Sequence, residues 1–345
     1  MNQIVFPAEW QPQSGIMLTW PDENTDWADT LHQVEAVYCQ LTEKLSQFQP
    51  VLIICRHQLH QLHITELLAC TTTVTRNIIF FQTEFNDTWT RDYGPVSVYK
   101  NNQPAMLDFQ FNGWGNKFSA DKDNRVNQHL AGAGLLANME SIPFVLEGGS
   151  IDSDGSGCIL TTKKCLLNSN RNAHMNQSEI EQTLSQFLGS KKIHWLENGY
   201  LAGDDTDSHI DTLARFCNSE TIAYMTCQDP DDEHFHELKE MHHELTSLRT
   251  LDNKPYNLIP LEIPQTITDD NHQRLPASYA NFLISNQAIF MPVYGELQAD
   301  QHAIIQIQSV FASRKVIPID CKPLIMQHGS LHCITMQLSG GMLQN

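Results

Sequence analysis

The chain has 345 residues, and 21 Lys and Arg residues stand against 40 Asp and Glu residues, which gives a formal net charge of −19. Nucleic acid is excluded as an expected partner, because a polyanion would meet net repulsion and no basic stretch opposes it. No run approaches the roughly 18 to 20 apolar residues of a membrane span, and the start MNQIVFPAEW lacks the features of a secretory signal. We therefore expect a cytoplasmic protein without a membrane partner.

Short apolar runs alternate with longer amphipathic segments along the chain, which is typical of an α/β fold. The predicted helices are Asp26–Phe48, His57–Ala69, Gln177–Leu188, Asp231–Thr250 and Asp300–Arg314. The predicted strands are Val51–Cys55, Asn77–Gln82, Val96–Tyr99, Ala105–Phe111, Cys158–Leu167, Lys192–Leu196, Thr212–Phe216, Thr221–Thr226, Asn257–Ile263, Ala288–Pro292 and Lys315–Asp320. No linker divides the chain, so residues 1–345 are expected to form a single domain. The recurring order fits several copies of one strand-and-helix module.

The nine cysteines are scattered along the chain, and no two of them form a CxxC pair. This spacing argues against a disulfide framework and against a zinc finger or ribbon. Considered one at a time, the cysteines are expected to be reduced thiols packed in the core.

Five segments interrupt the periodic pattern next to strand-like runs, where loops commonly carry function. They are NDTWTRDYGP from residue 86, FNGWGNKF from 111, FVLEGGSIDSDG from 144, GDDTDSHID from 203 and GSLHCITMQ from 329. The fourth places four carboxylates and one histidine within nine residues. Because packed like charges repel, this cluster makes sense if a cation binds among them. If the segment is extended, the side chains of His209 and Asp211 point to the same side.

The cation could be a metal ion or an organic ammonium or guanidinium. A metal is the poorer option, because the cluster lacks a second histidine at i+4 and closely spaced cysteines, and we predict no metal and no other cofactor. The histidines of EHFHELKEMHHEL are interpreted as a solvated helix face. A guanidinium fits better, because carboxylates can clamp its planar fork while a thiol attacks its carbon. His209 could then protonate the departing ammonia.

Eight stretches carry a likeness to a known family, and they are MNQIVFPAEWQPQSGIMLTWP, NDTWTRDYGP, FNGWGNKF, LEGGSIDSDG, CLLNSNRN, GDDTDSHIDTLARF, SYANFLISN and HCITMQ. In this order they resemble agmatine deiminases from end to end, and the combination of TRDYGP, LEGGS, HID and HCIT is highly specific. The resemblance implies the pentein fold of the guanidine-modifying enzymes, an α/β fold that forms a five-module pseudo-symmetric β/α propeller. The site would lie on the central axis of the propeller.

The resemblance also implies a set of catalytic residues. Cys333 would be the nucleophile, and His209 would be the general acid and base. Asp92 and Asp211 would clamp the guanidinium, and Glu147 would bind the guanidinium or orient His209.

Substrate-binding residues follow from the same resemblance. Asp205 would receive the distal ammonium of agmatine, and Trp89 and Trp114 would wall its aliphatic chain. Family members often carry Glu in place of Asp205, and the shorter side chain could admit a different chain length. A fuller glycine run than the one in residues 328–330 commonly precedes the His-Cys pair, which bears on the loop geometry near Cys333.

The predicted function is hydrolysis of agmatine to N-carbamoylputrescine and ammonia through a covalent amidino-thioether on Cys333. An alternative is deimination of free or peptidyl arginine, whose α-carboxylate would need a cationic reader, and the candidates are Arg91, Arg171 and Arg215. A third hypothesis is a catalytically silent binder of polyamine or guanidinium ligands. The small cationic substrate is the only partner predicted, while the oligomeric state stays open and a homo-oligomer is compatible with the sequence.

Overall fold

Five small β-sheets, each with its own helix, make up a computed structural model that describes residues 3–70 and 77–344. In every sheet an antiparallel pair of strands is followed by a helix and a third strand, which pairs in parallel with the second strand. This repeat gives five modules of one topology, and the fold is a pseudo-symmetric β/α propeller of the pentein type.

The first two modules run consecutively in the chain. The first has strands Val96–Lys100, Gln103–Gln110 and Met139–Val145 with helix Asp123–Gly132, and strand Ile4–Val5 extends its edge. The second has strands Ile151–Ser153, Cys158–Thr162 and Lys192–Leu196 with helix Gln177–Leu188.

The third and fourth modules continue the series. The third has strands Ala214–Asn218, Thr221–Thr226 and Asn257–Glu262 with helix Phe235–Ser247. The fourth has strands Leu283–Ile284, Ala288–Val293 and Lys315–Asp320 with helix Leu297–Val310.

The fifth module closes the ring with strands from both ends of the chain. Strand Thr335–Ser339 pairs antiparallel with Gln13–Thr19, and Met336 lies opposite Met17. Helix Leu31–Leu45 leads to Val51–Cys55, which pairs in parallel with Gln13–Thr19. Helix Gln58–Ala69 and strand Ile78–Gln82 extend this sheet. The short helical turns are Ala28–Thr30, Thr90–Tyr93, Gly113–Asn116, Gly148–Ser150, Lys163–Leu166, Ile210–Thr212 and Lys322–Ile325.

The second-module helix illustrates how local sequence sets an element. Asn176 and Glu179 form a reciprocal capping box at its start, and Gly189 ends it at a φ of 69°. Its buried positions Ile180, Leu184 and Leu188 recur at helical spacing. Each such side chain contributes about 1.5 to 3 kcal/mol on burial, so this face holds the helix against its sheet.

Most predicted elements are confirmed, and two predictions were wrong in part. Predicted strand Cys158–Leu167 ends at Thr162, because the Thr162 hydroxyl accepts a hydrogen bond from the Cys165 amide and caps the turn Lys163–Leu166. The solvated histidine face is wrong for His234, which is buried and accepts a hydrogen bond from the Ala202 amide at 2.8 Å. Within residues 3–70 and 77–344, no helix has the length and apolar character needed to cross a membrane.

Candidate active site

One polar position recurs in all five modules, in the turn that leads into the first strand of the antiparallel pair. The turns lie next to one another, since Asp92, Asp211 and Asn281 all contact groups from other modules. The residues that occupy this position, in chain order, are Asp92, Glu147, His209 with Asp211, Asn281 and Cys333. The propeller thus brings side chains from distant parts of the sequence to its centre.

Cys333 is a buried thiol with polar neighbours. Its Sγ accepts a hydrogen bond from Asn281 Nδ2 at 3.3 Å and lies 3.8 Å from Asp211 Oδ2. Burial raises the pKa of Cys333 well above its ordinary value, and the carboxylates of Asp211 and Asp92 add to the effect. The free protein therefore holds a protonated thiol at neutral pH, and a cation beside it would favour the thiolate.

Asp92 is fixed by donors to both carboxylate oxygens. Trp114 Nε1 donates to Oδ2 at 2.9 Å, and the Gly149 amide donates to Oδ1 at 3.0 Å. Burial raises the pKa of Asp92 to about 6, and the nearby charge of Asp211 acts in the same direction. The two hydrogen bonds hold the carboxylate in one orientation inside the cavity.

His209 precedes the helical turn Ile210–Thr212, so the condition of an extended His-x-Asp segment is not met. The side chains of His209 and Asp211 nevertheless both line the cavity. His209 Nδ1 lies 3.5 Å from Asp92 Oδ1, and the buried Nε2 has no hydrogen-bond partner among the described residues. Burial lowers the pKa of His209, but the Asp92 charge and other neighbours outweigh it and raise the pKa well above its ordinary value.

Glu147 and Cys165 lie beside His209. Both Glu147 oxygens accept hydrogen bonds from Arg171 Nε, at 2.9 and 3.0 Å. Possible ligand atoms of Glu147, Cys165 and His209 lie within 4.8 Å of one another, an arrangement that could hold a metal ion. Among the described residues the contacts of the Glu147 carboxylate are with Arg171, and no hydrogen bond or ion pair joins it to His209.

Asp211 is anchored on one oxygen and free on the other. Its Oδ2 lies 2.7 Å from His332 Nδ1, and its buried Oδ1 has no partner among the residues described. Burial raises the pKa of Asp211, but the hydrogen bond and charge of His332 outweigh it, so the pKa is lowered. His332 Nε2 lies 2.7 Å from Glu9, which pairs with Arg91 and Arg215. An ionised Asp211 therefore offers one oxygen to a ligand.

The cavity has an empty volume of about 550 Å³, part of which is open to solvent. Its aromatic wall is formed by Trp89, Trp114 and Phe118. Trp89 packs on the backbone of Gly329, where an added Cβ would lie only 2.0 Å from the ring. Four further carboxylates line the cavity, from Asp26, Asp87, Asp204 and Asp205.

No Lys or Arg lies among the described residues that line this cavity. The three arginines proposed to bind an α-carboxylate form ion pairs with other carboxylates. Arg91 and Arg215 both pair with Glu9, and Arg171 pairs with Glu147 and Asp207. A ligand with a carboxylate would thus meet several acids and no free guanidinium.

Seven of the eight predicted site residues line the cavity: Trp89, Asp92, Trp114, Asp205, His209, Asp211 and Cys333. Glu147 is not among the lining residues and lies next to His209 instead. Sequence reasoning missed Asn281, which donates to Cys333 Sγ. Cys165 is a buried core thiol, as expected, although a possible ligand atom of it also lies near Glu147 and His209. Asn281 could have been found from the module repeat, because it precedes the first strand of the fourth module as Cys333 precedes the first strand of the fifth.

Known proteins resemble this chain over nearly its full length. The family described as Porphyromonas-type peptidyl-arginine deiminase matches residues 5–339. A Porphyromonas gingivalis structure, proposed to be an arginine deiminase, is 41% identical with a TM-score of 0.94, covering 99% of this chain and 100% of that one. A Cys-to-Ser variant of C. jejuni agmatine deiminase with substrate bound is 37% identical with a TM-score of 0.91, covering 99% and 98%. A Legionella pneumophila (strain Paris) protein, proposed to be an agmatine deiminase, is 34% identical over 96% of this chain and 94% of that protein.

Proposed function

This chain belongs to the Porphyromonas-type peptidyl-arginine deiminase family, and we propose that it hydrolyses agmatine to N-carbamoylputrescine and ammonia. The observation that carries the proposal is the cavity itself. The Cys333 thiol, the His209 imidazole and the carboxylates of Asp92 and Asp211 lie close to one another in it, and four more carboxylates line the same cavity. This charge pattern matches a molecule with a guanidinium at one end and an ammonium at the other.

The guanidinium would bind between Asp92 and Asp211. Asp211 is ionised and has a free oxygen, and Asp92 is held in place by Trp114 and Gly149. Carboxylates bind the planar donor fork with directional hydrogen bonds, so the central carbon would face the sulfur of Cys333. The positive charge of the guanidinium would also lower the pKa of the thiol and promote the thiolate.

The reaction then needs one nucleophile and one proton carrier. As the substrate binds, the Cys333 thiol releases its proton to solvent water. The thiolate sulfur then forms a bond to the guanidinium carbon, and the tetrahedral adduct expels ammonia after His209 donates a proton to the leaving nitrogen. Because the pKa of His209 is raised, its imidazole is protonated in the resting state and carries this proton. Water next attacks the amidino-thioether, and the neutral His209 accepts a proton from it. Cleavage of the carbon–sulfur bond releases the ureido product and restores the thiol.

Asp205 is proposed to receive the distal ammonium. Burial raises the pKa of its carboxyl, and the neighbouring Asp204 charge raises it further, so a bound cation would relieve this repulsion. Trp89 and Trp114 would enclose the methylene chain. We expect Asp205→Ala chiefly to raise KM for agmatine, because the ammonium is bound alike in the ground and transition states. A large fall in kcat alone would contradict this assignment.

Deimination of free or peptidyl arginine is the second candidate, and the description of the family and that of the P. gingivalis relative favour it. The cavity argues against it, because no Lys or Arg among the described lining residues could pair with an α-carboxylate. The deciding experiment compares kcat/KM of the purified protein for agmatine, arginine and a peptide with C-terminal arginine. We expect agmatine to be preferred at least about 100-fold, since a carboxylate buried among acids costs several kcal/mol.

A silent binder is distinguished from an enzyme by reactivity at Cys333. An enzyme releases ammonia from agmatine, becomes labelled at Cys333 by a haloacetamidine, and loses both properties in Cys333→Ser. Cys158→Ser is the matched control, because Cys158 is also buried but lies outside the cavity. A protein that binds agmatine without turnover, or a Cys333→Ser variant that keeps its activity, would refute the mechanism.

The remaining expectations are also proposals. We propose that residues 1–345 act as one catalytic domain, supported by a family match that spans residues 5–339. A reducing cytoplasmic location is supported by nine free cysteines, eight of which are buried. The net charge of −19 supports the proposal that nucleic acid is not a partner. Measurement of the molecular mass in solution would test whether the protein forms a homo-oligomer.

A further inference from the structure

His328 is held with one ring nitrogen fixed as a donor. Its Nδ1 lies 2.7 Å from the backbone oxygen of Gly203, and its side chain lines the same cavity as Cys333. A carbonyl oxygen can only accept, so Nδ1 carries the proton. The neutral ring therefore has an unprotonated Nε2, which can only accept a hydrogen bond.

The surroundings of His328 are dominated by acids. Among the described residues, the carboxylates of Asp26, Asp87, Asp204 and Asp205 line this cavity with it. The charge of His328 acts to lower the pKa of Asp205, against the effects of burial and of Asp204. Lys117 is occupied by Asp207 and by the backbone oxygen of Asp205. A charge on His328 therefore acts directly on the Asp205 carboxylate, at which a distal cation would bind.

We propose that His328 is a specificity-determining residue whose neutral imidazole accepts a hydrogen bond from the distal ammonium of the substrate. This inference rests on the proposed function. The protonated ring has no acceptor, and its charge repels the ammonium and competes with it for Asp205.

The test compares two substrates in two proteins. Agmatine carries the distal ammonium, and pentylguanidine replaces it with a methyl group of similar size. His328→Asn removes the imidazole while keeping a residue type that tolerates the left-handed backbone at position 328, where φ is 66°. His272→Asn is the matched control, because His272 is exposed, has a φ of 60° and does not line the cavity.

We expect His328→Asn to raise KM for agmatine about threefold to tenfold, the effect of one hydrogen bond in a partly open site, with kcat little changed. KM for pentylguanidine should change less than twofold, and His272→Asn should resemble the wild type with both substrates. An equal rise in KM for the two substrates would overturn the proposal, because it would mean that His328 only shapes the loop.

If the wild type turns over neither agmatine nor pentylguanidine, the proposed function itself fails, which is a different result from turnover that is insensitive to His328.

Discussion

Gly149 occupies the space between three side chains of the candidate site, and Gly149→Ala tests whether their spacing matters. An added Cβ would lie 2.7 Å from His209 Nδ1, 2.8 Å from Asp92 Oδ1 and 3.1 Å from Asp211 Oδ2. Ordinary contact begins near 3.4 Å, so His209 must move by about 0.7 Å and Asp92 by about 0.6 Å. The backbone of Gly149 does not require a positive φ, so the perturbation is one of space.

Displacements of this size are large for catalysis and moderate for stability. A misplacement of about 1 Å can cost about 100-fold in rate, so we expect kcat for agmatine to fall about 10- to 100-fold. Overpacking should cost only about 1 to 3 kcal/mol in the free energy of unfolding. The assay is steady-state ammonia release together with urea denaturation.

A matched variant separates the local effect from the general effect of adding a methyl group. Gly132→Ala places a Cβ with no atom within 4 Å at a helix end, and we expect unchanged kinetics. If Gly149→Ala kept kcat within twofold of wild type while remaining folded, the placement of His209 and Asp92 would not control the reaction, and the proposed mechanism would be wrong.

Three further changes test individual contacts. Trp114→Phe removes the donor to Asp92 Oδ2, so the pKa of Asp92 should rise from about 6. The acidic limb of the pH profile of kcat/KM should then move to higher pH by about one unit. If the limb does not move, Asp92 is excluded as the titrating group. Arg171→Gln leaves the buried carboxylate of Glu147 without its ion-pair partner. The free energy of unfolding, measured by urea titration, should therefore fall by about 3 to 5 kcal/mol. A loss below about 1 kcal/mol would contradict that pairing. The third test compares how fast a cationic haloacetamidine and a neutral haloacetamide alkylate Cys333 at pH 7.5. The ratio of the two rates should be at least about tenfold higher for Cys333 than for free cysteine, because the carboxylates attract the cation. If mass spectrometry finds the same ratio for both thiols, the carboxylates do not assist the reaction.

Regular elements were predicted well where their patterns were strong. Strands Val51–Cys55 and Lys315–Asp320 and helix Gln177–Leu188 have the predicted bounds, because each combines a clear periodicity with local end signals. Strand Met139–Val145 was missed because Glu140 and Pro143 interrupt its apolar pattern. The Leu283–Ile284 strand has two residues and leaves almost no pattern to detect. Such strands form because their neighbours in the sheet supply the hydrogen bonds, which a local pattern cannot reveal.

The candidate site residues were proposed from the family resemblance together with their chemistry, whereas the contacts around them were not predicted. Cys333 taken alone does not differ from the other cysteines, and His209 is noticeable because it lies within a cluster of carboxylates. Asn281 and Cys165 have ordinary side chains, and they matter only because other modules bring partners to them. Glu147 was identified, but its pairing with Arg171 could not be predicted, since 24 positions separate them and the contact depends on tertiary packing.

Ring closure bears on when the protein can first act during its synthesis. The sulfur of Cys333 precedes Thr335–Ser339, the strand that completes the sheet begun by Gln13–Thr19. A ribosome makes Gln13–Thr19 more than 300 residues before Thr335–Ser339. The nascent chain therefore exposes Asp92, His209 and Asp211 before Cys333 is made, and under the proposed mechanism a polypeptide that stalls before residue 333 would lack the sulfur that reacts with a guanidinium.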